Sequence, residues 1–302
     1  SGHTEFPVIP THLIIVCCHG VYTGGPCKGA SEDEWLIAPF QAGETPTFTA
    51  HMRLGLEILE SDPSSVLILS GKLVLFLFLF LLLFLLSLSL SLNQTPPFRY
   101  NNRAEQQSSC VSFLFSLSSS FRSGPTRPET ELSEATSYLQ LGVDNGFWGY
   151  ELSEREVLCE QRAMDSYHNV LYSLTRFFAH YETWPGRVTV VSHEFKKARI
   201  IEGHCAAIGL RNVGFAGIDP PAKSDPSALA QEKRGIQQAL VDWQEDPHGR
   251  GPKLAGKRRQ RNIHNTWQGI MPKDHNHSGG LITRGEDGEE TLVDDAPRPW
   301  NT

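Results

Sequence analysis

The stretch His12-Leu13-Ile14-Ile15-Val16-Cys17-Cys18, with Thr11 before it and His19-Gly20 after it, decides how this chain is read. It is apolar without alternation, β-branched in its middle and too short for a buried helix. It therefore reads as a strand covered on both faces, the first central strand of a parallel sheet. Working outward, Thr47 to Leu59 sets Phe48, Met52, Leu56 and Leu59 on one helical stripe, and Ser61-Asp62-Pro63 stops it before a second apolar run, Val66 to Ser70. Strand, helix and strand make a β-α-β unit.

The same alternation continues downstream. A helix is predicted from Leu132-Ser133, carrying Ala135, Tyr138, Leu139 and Leu141 and ending at Gly142. Tyr167, Val170, Leu171, Leu174, Phe177, Phe178 and Tyr181 recur at steps of three and four, a long amphipathic helix closed by Pro185-Gly186. Arg187 to Val191 is a β-branched strand, Glu194 to Ile208 a helix burying Phe195, Ala198, Ile201 and Cys205, and Arg211 to Gly217 another strand. Ser227 to Trp243 closes the pattern as a helix with a serine cap. The fold class this implies is α/β, a Rossmann-like three-layer sandwich with a mainly parallel sheet and its ligand site at the strand C-terminal ends.

One segment breaks the pattern. Leu73 to Leu92 is a run of Leu, Phe, Val and Ser long enough for a membrane span, and Ser108 to Arg122 is a Ser/Phe/Leu tract without helical or alternating period. Removing Lys72 to Ser123 joins Gly71 to Gly124 and restores a strand, a glycine turn and a capped helix start. The segment therefore reads as translated intron sequence, Gly71-Lys72 being what a read-through splice donor encodes. The competing reading is a single-pass membrane anchor, which separates a strand from its own helix against the preference for short connections. The organisation expected is a first half-domain over 1–71, an insert outside the working fold over 72–123, a second half-domain over 124–245, and an extended tail over 246–302 that partly wraps the domain.

Composition narrows the function classes. The formal net charge is −7 over 302 residues, which provides no broad attraction for nucleic acid. Cys17, Cys18, Cys27, Cys110, Cys159 and Cys205 lack CxxC spacing, so reduced thiols are expected. Residues 1–10 lack the charged and apolar regions of a secretory signal, and the expected location is cytoplasmic, or membrane-anchored if the apolar run is genuine.

Four groups of residues sit where this architecture builds sites. His19-Gly20 with Thr23-Gly24-Gly25 forms a turn able to bring backbone N–H groups to an anion, without a dinucleotide or P-loop fingerprint. Ser70-Gly71, rejoined to Gly124, Thr126 and Arg127 and followed by Glu134, adds a guanidinium fork suited to phosphate or carboxylate. Glu160 leads into Asp165, Ser166 and Asn169, whose spacing allows them to share a helix face. Ser192-His193-Glu194-Phe195-Lys196, with Arg199, runs from a strand end into a helix start and forms an anion pocket. No GxSxG elbow or metal-ligand spacing is recognised, and no metal is assigned.

With the insert set aside, these groups in this order resemble the SanA/ElyC/YdcF-like family of unknown function, over roughly Thr11 to Gly217. The wording Asp165-Ser166-Tyr167-His168-Asn169 and Val191-Ser192-His193-Glu194-Phe195-Lys196 resembles a fungal branch. The resemblance implies a Rossmann-like fold binding a nucleotide-like ligand such as S-adenosylmethionine. Lys196 stands where many relatives place a histidine, so anion binding is favoured over imidazole catalysis. The expectation is a binder of a small anionic or nucleotide-derived ligand, with Gly20, Ser70, Gly71, Gly124, Thr126, Arg127, Glu134, Ser166, Asn169, Ser192, Lys196 and Arg199 around it. The alternative is a hydrolase or group-transfer enzyme with Glu160 or Asp165 as base and His193 as acid.

Overall fold

Every residue of the first strand, β1 (His12–Cys17), is buried, because a sheet extends from both of its edges and helices cover both of its faces. The computed structural model describes residues 9–74, 132–152, 156–222, 225–285 and 290–301. After β1 come a short antiparallel pair, β2 (Val21–Tyr22) and β3 (Trp35–Leu36), helix α1 (Thr45–Ser61) and strand β4 (Ser65–Ser70). The chain then runs through β5 (Leu73–Val74), and resumes with β6 (Leu132–Ser133) and α2 (Glu134–Asp144). Strand β7 (Val157–Glu160), helix α3 (Ser166–Tyr181), strand β8 (Arg187–Ser192), a π-helical segment (Arg199–Cys205) and strand β9 (Val213–Gly217) follow. Two further helices, α4 (Pro226–Glu245) and α5 (Pro252–Arg261), and a small antiparallel pair, β10 (Thr283–Arg284) and β11 (Thr291–Leu292), end the described chain.

The central sheet is five-stranded and all parallel, in the order β7-β4-β1-β8-β9. This is a doubly wound α/β fold of Rossmann-like type, with its topological switch between β1 and β8. The period of two along β1 divides the core. Leu13, Ile15 and Cys17 face α3, the π-helical segment and Trp243 of α4, whereas Ile14, Val16 and Cys18 face α1 and α2.

Helix α1 follows the predicted stripe: Phe48, Met52, Leu56 and Leu59 are all fully buried. Helix α3 buries its predicted stripe from Tyr167 to Phe178, with Tyr181 partly buried at its end, and is capped by Asp165, whose carboxylate accepts a hydrogen bond from the His168 N–H. Three local readings differ. Helix α2 continues past Gly142 to Asp144, because Gly142 packs its Cα against the Phe147 ring rather than ending the helix. Helix α4 starts at Pro226, with Ser227 inside it and Asp225 accepting from the Ser227 N–H and hydroxyl. The helix predicted over Glu194 to Ile208 starts as a 3₁₀ turn at Glu194–Lys196 and is widened to a π-helix over Arg199–Cys205. Its buried face therefore carries Ile200, His204 and Cys205, while Phe195, Ala198 and Ile201 are only partly buried.

Val74 and Leu132, the described residues that flank 75–131, lie opposite each other in the antiparallel pair β5–β6. Lys72 to Val74 thus belong to the fold, held further by the Glu134 N–H donating to the Lys72 carbonyl. Residues 75–131, including Gly124, Thr126, Arg127 and almost all of the apolar run, lie outside the described residues. Among the described residues, no helix is long and apolar enough to cross a membrane.

The segment beyond 245 packs on the domain through Leu254, Ile270, Leu281, Leu292 and Trp300, all buried. The Arg258 guanidinium donates to the Asp165 carboxylate at 2.6 Å, which ties α5 to the start of α3.

Two measurements check this architecture. In α1, a Cβ on Gly55 would lie 2.5 Å from Val16 Cγ2, so Gly55→Val is expected to force the helix off the sheet and cost about 1–3 kcal/mol in urea unfolding. Replacing residues 75–131 by Asn-Gly closes β5 and β6 into a hairpin. This variant is expected to keep a single cooperative thermal transition, and loss of that transition shows that the fold requires the excised residues.

Candidate functional site

At the switch point the C-terminal ends of β1, β4, β7 and β8 open onto a cavity of about 440 Å³. Its wall includes Cys17, Cys18 and His19 from the end of β1, Asp165, Ser166 and Asn169 from the start of α3, and Ser192, Lys196 and Arg199 from the end of β8 onward. Lys72 and Glu134 close one side, and Asp242, Lys257 and Arg261 reach in from α4 and α5.

Three expected residues lie beneath this wall. Ser70 is fully buried at the end of β4, its hydroxyl 3.0 Å from Glu160 Oε2 and 3.1 Å from Asn169 Oδ1. With the amide turned so that its NH₂ faces the serine, a continuous donor chain runs from Asn169 through Ser70 to Glu160. Glu160 also accepts from the N–H groups of Arg162 and Ala163 and lies 3.4 Å from the Arg162 guanidinium. Burial nevertheless raises its pKa above the ordinary carboxylate value. Gly71 is required by close approach, since a Cβ there would lie 2.6 Å from the Glu134 Cβ and 2.9 Å from that of Cys18.

The carboxylates on the wall have cationic partners. Asp165 is pushed up by burial, but Arg258 and the His168 N–H outweigh this and hold it well below the usual range. Asp242 binds the ammonium groups of Lys253 and Lys257. Glu134 accepts from the Lys72 N–H, with the Lys72 ammonium 3.8 Å away, and burial raises its pKa to about 7. Near neutral pH it therefore carries only part of a charge.

The cations from β8 onward differ. Among the described residues Lys196 and Arg199 form no ion pair, and Arg199 Nε is buried without a hydrogen-bond partner. The Lys196 ammonium lies 3.4 Å from His19 Nε2, and burial and the neighbouring Arg199 lower its pKa to about 8.

Two expected residues are elsewhere. Gly20 packs against Ile37 and Phe48, and the anion cradle expected in the following turn is filled internally by Glu34, whose carboxylate accepts from the N–H groups of Cys27 and Gly29. His193 is 2% exposed, stacked between His19 and Phe195 behind the cavity wall, and burial lowers its pKa to about 2.

The structure also brings in residues that the sequence reading passed over. His204 Nε2 lies 2.8 Å from the Ser166 hydroxyl, a serine–imidazole pair formed across 38 positions, and burial lowers the His204 pKa to about 3. Lys257 and Arg261 arrive from the supposed tail; their spacing of four on one helix face was the available signal. His51 joins His19 and His193 in a cluster whose ring nitrogens lie within 4.8 Å of one another.

Fold and site together define a Rossmann-like α/β protein with a cation-rich cavity at its switch point. The chain is similar to the uncharacterized protein YOR238W of Saccharomyces cerevisiae, with 29% identity over 184 residues covering 57% of this chain. It spans 59% of the length of that relative. No family model matches the chain, and no solved structure matches it significantly.

Glu134 offers a pH test. Its folded pKa, raised to about 7, means that the native state keeps the proton longer than the unfolded chain. Its contribution is therefore fully present below the unfolded value near 4.5 and is lost as pH rises through 7. Glu134→Gln is expected to flatten this fall, read as urea midpoints at pH 5 and pH 8. An unchanged pH profile shows that the carboxyl is ordinary.

Proposed function

We propose that the switch-point cavity binds a small anionic, nucleotide-derived ligand, in keeping with the resemblance to SanA/ElyC/YdcF-like proteins. The observation that carries this reading is the pair Lys196 and Arg199, half-buried on the cavity wall and without an ion-pair partner among the described residues. A partly desolvated cation without a counter-charge in contact is costly, and a phosphate or carboxylate group supplies that charge. Arg261 adds a third positive group, while Asp165 and Asp242 are neutralised by their own bridges. The Asn169–Ser70–Glu160 chain fixes the cavity floor, and Arg199 offers a planar fork to a phosphate oxygen pair.

The hydrolase or group-transfer alternative receives a specific observation from Ser166 and His204 rather than from the expected acids and base. Glu160 and Asp165 are engaged in fixed bonds, and His193 does not reach the cavity. The serine hydroxyl has an imidazole nitrogen 2.8 Å away, but deep burial makes that imidazole a weak base, and its Nδ1 has no hydrogen-bond partner among the described residues to fix the tautomer. Binding is therefore the better supported activity.

Pyrophosphate, AMP and S-adenosylmethionine are the probes for a thermal-shift and calorimetric test on the full chain. A ligand at 100 times its Kd stabilises the fold by about 2.7 kcal/mol. At least one probe is expected to stabilise the protein, and Lys196→Ala or Arg199→Ala to weaken that probe about tenfold or more, at 1.4 kcal/mol per decade. Unchanged affinity in both variants removes the cations from the site. Absence of stabilisation by every probe overturns the nucleotide-like class.

A further inference from the structure

We propose that His19, His51 and His193 form a binding site for a late first-row transition-metal ion, separate from the anion-binding role of the cavity. The three side chains come from three elements: His19 follows β1, His51 lies on α1, and His193 follows β8. One ring nitrogen from each lies within 4.8 Å of the others.

The hydrogen bonding within this cluster is incomplete. His193 is 2% exposed, and neither of its ring nitrogens has a hydrogen-bond partner among the described residues. His51 is fully buried; its Nε2 lies 2.8 Å from the Ile218 carbonyl, and its Nδ1 has no partner. Buried polar atoms are ordinarily satisfied, so three unpartnered imidazole nitrogens in one place mark a missing group.

The arrangement fits a cation that binds nitrogen. An N–H donated by His51 Nε2 to the Ile218 carbonyl fixes the tautomer that leaves the Nδ1 lone pair for an ion, the usual outer-shell arrangement of metal-bound histidine. The Glu44 carboxylate stands 3.8 Å from His193 Nε2, close enough to act as an orienting group or a fourth ligand. A set of three imidazoles and a carboxylate suits zinc, cobalt, nickel or copper and is poor for magnesium or calcium.

One ring must move. The His19 and His193 rings are stacked at 4.4 Å with planes 24° apart, and the lone pairs of nearly parallel rings do not converge on one ion. Drawing the nitrogens to the spacing of a tetrahedral site, about 3.4 Å for 2.0–2.1 Å bonds, turns His19 out of the stack. His19 is the ring placed to turn. It is half-buried, and the side-chain contacts of its Nε2 with Ser192 Oγ and Lys196 Nζ are both long, at 3.4 Å. The Lys196 ammonium opposes a dication and Glu44 offsets it. Turning His19 also removes it from Lys196, leaving that ammonium to an anion.

The test uses the full chain, stripped with a chelator and titrated with cobalt(II) alone and then zinc(II) alone. Expected are one equivalent of metal retained through gel filtration and the intense visible absorption of four-coordinate cobalt. His193→Gln and His51→Gln are expected to lose about 100-fold or more in affinity. The half-exposed His19→Gln should lose affinity similarly with the fold intact, which covers the case in which a buried variant does not fold. His275→Gln, in the surface trio Glu182, His275 and His277, serves as the control and is expected to bind as wild type. No retained metal in the wild-type chain overturns the proposal. So does retention that is unchanged in His19→Gln or abolished by His275→Gln.

Discussion

Everything in this fold depends on one strand being covered on four sides. Strand β1 pairs in parallel with β4 and β8 and packs Leu13, Ile15 and Cys17 one way and Ile14, Val16 and Cys18 the other. Parallel neighbours require crossovers, and the apolar side chains on both faces require that those crossovers carry helices. Once β4 lies on one side of β1 and β8 on the other, the connections diverge and a crevice opens at their carboxyl ends. The cavity at Cys17, His19, Ser192 and Lys196 is the geometric consequence of burying these six apolar residues.

Charge gives that crevice its character. Carboxylates reach its wall from three helices. Arg258 neutralises Asp165, Lys253 and Lys257 neutralise Asp242, and burial keeps Glu134 partly protonated. Among the described residues Lys196 and Arg199 form no ion pair of their own, and Glu44, Glu134 and Asp165 act on them only from a distance. The C-terminal segment contributes to this balance, since α5 places Arg258 on Asp165 and brings Lys257 and Arg261 to the wall. A basic run that looks like a solvated tail thus completes the electrostatics of the site, with Arg258 reaching Asp165 ninety-three residues upstream.

Local geometry also redistributed roles along the chain from β8 to β9. Ordinary α-helical periodicity from Glu194 predicts a face of Phe195, Ala198, Ile201 and Cys205. The π-helical widening over Arg199–Cys205 moves the inward face to Ile200 and His204, which lets His204 reach Ser166 and Arg199 stand at the cavity. At β5 and β6 the pairing of Val74 with Leu132 brings the two ends of the chain that flank residues 75–131 side by side.

The sequence by itself determined most of the layering: the order of β1, β4, β8 and β9 with the helices between them, the inward stripes of α1 and α3, and the location of Ser166, Asn169, Ser192, Lys196 and Arg199 at the starts of helices or ends of strands; the four-residue edge strand β7 left no such signal. These follow from periods of 2 and 3.6 and from local capping, which neighbouring residues settle among themselves. Only the tertiary structure decided which of those residues share a cavity. It placed Ser70 on Glu160 and Asn169, sent His193 behind the wall to meet His19 and His51, filled the first glycine turn with Glu34, and brought α5 across the opening. Those outcomes depend on contacts between residues tens of positions apart, whose distances are fixed by sheet order and helix packing and leave no periodic trace in the chain.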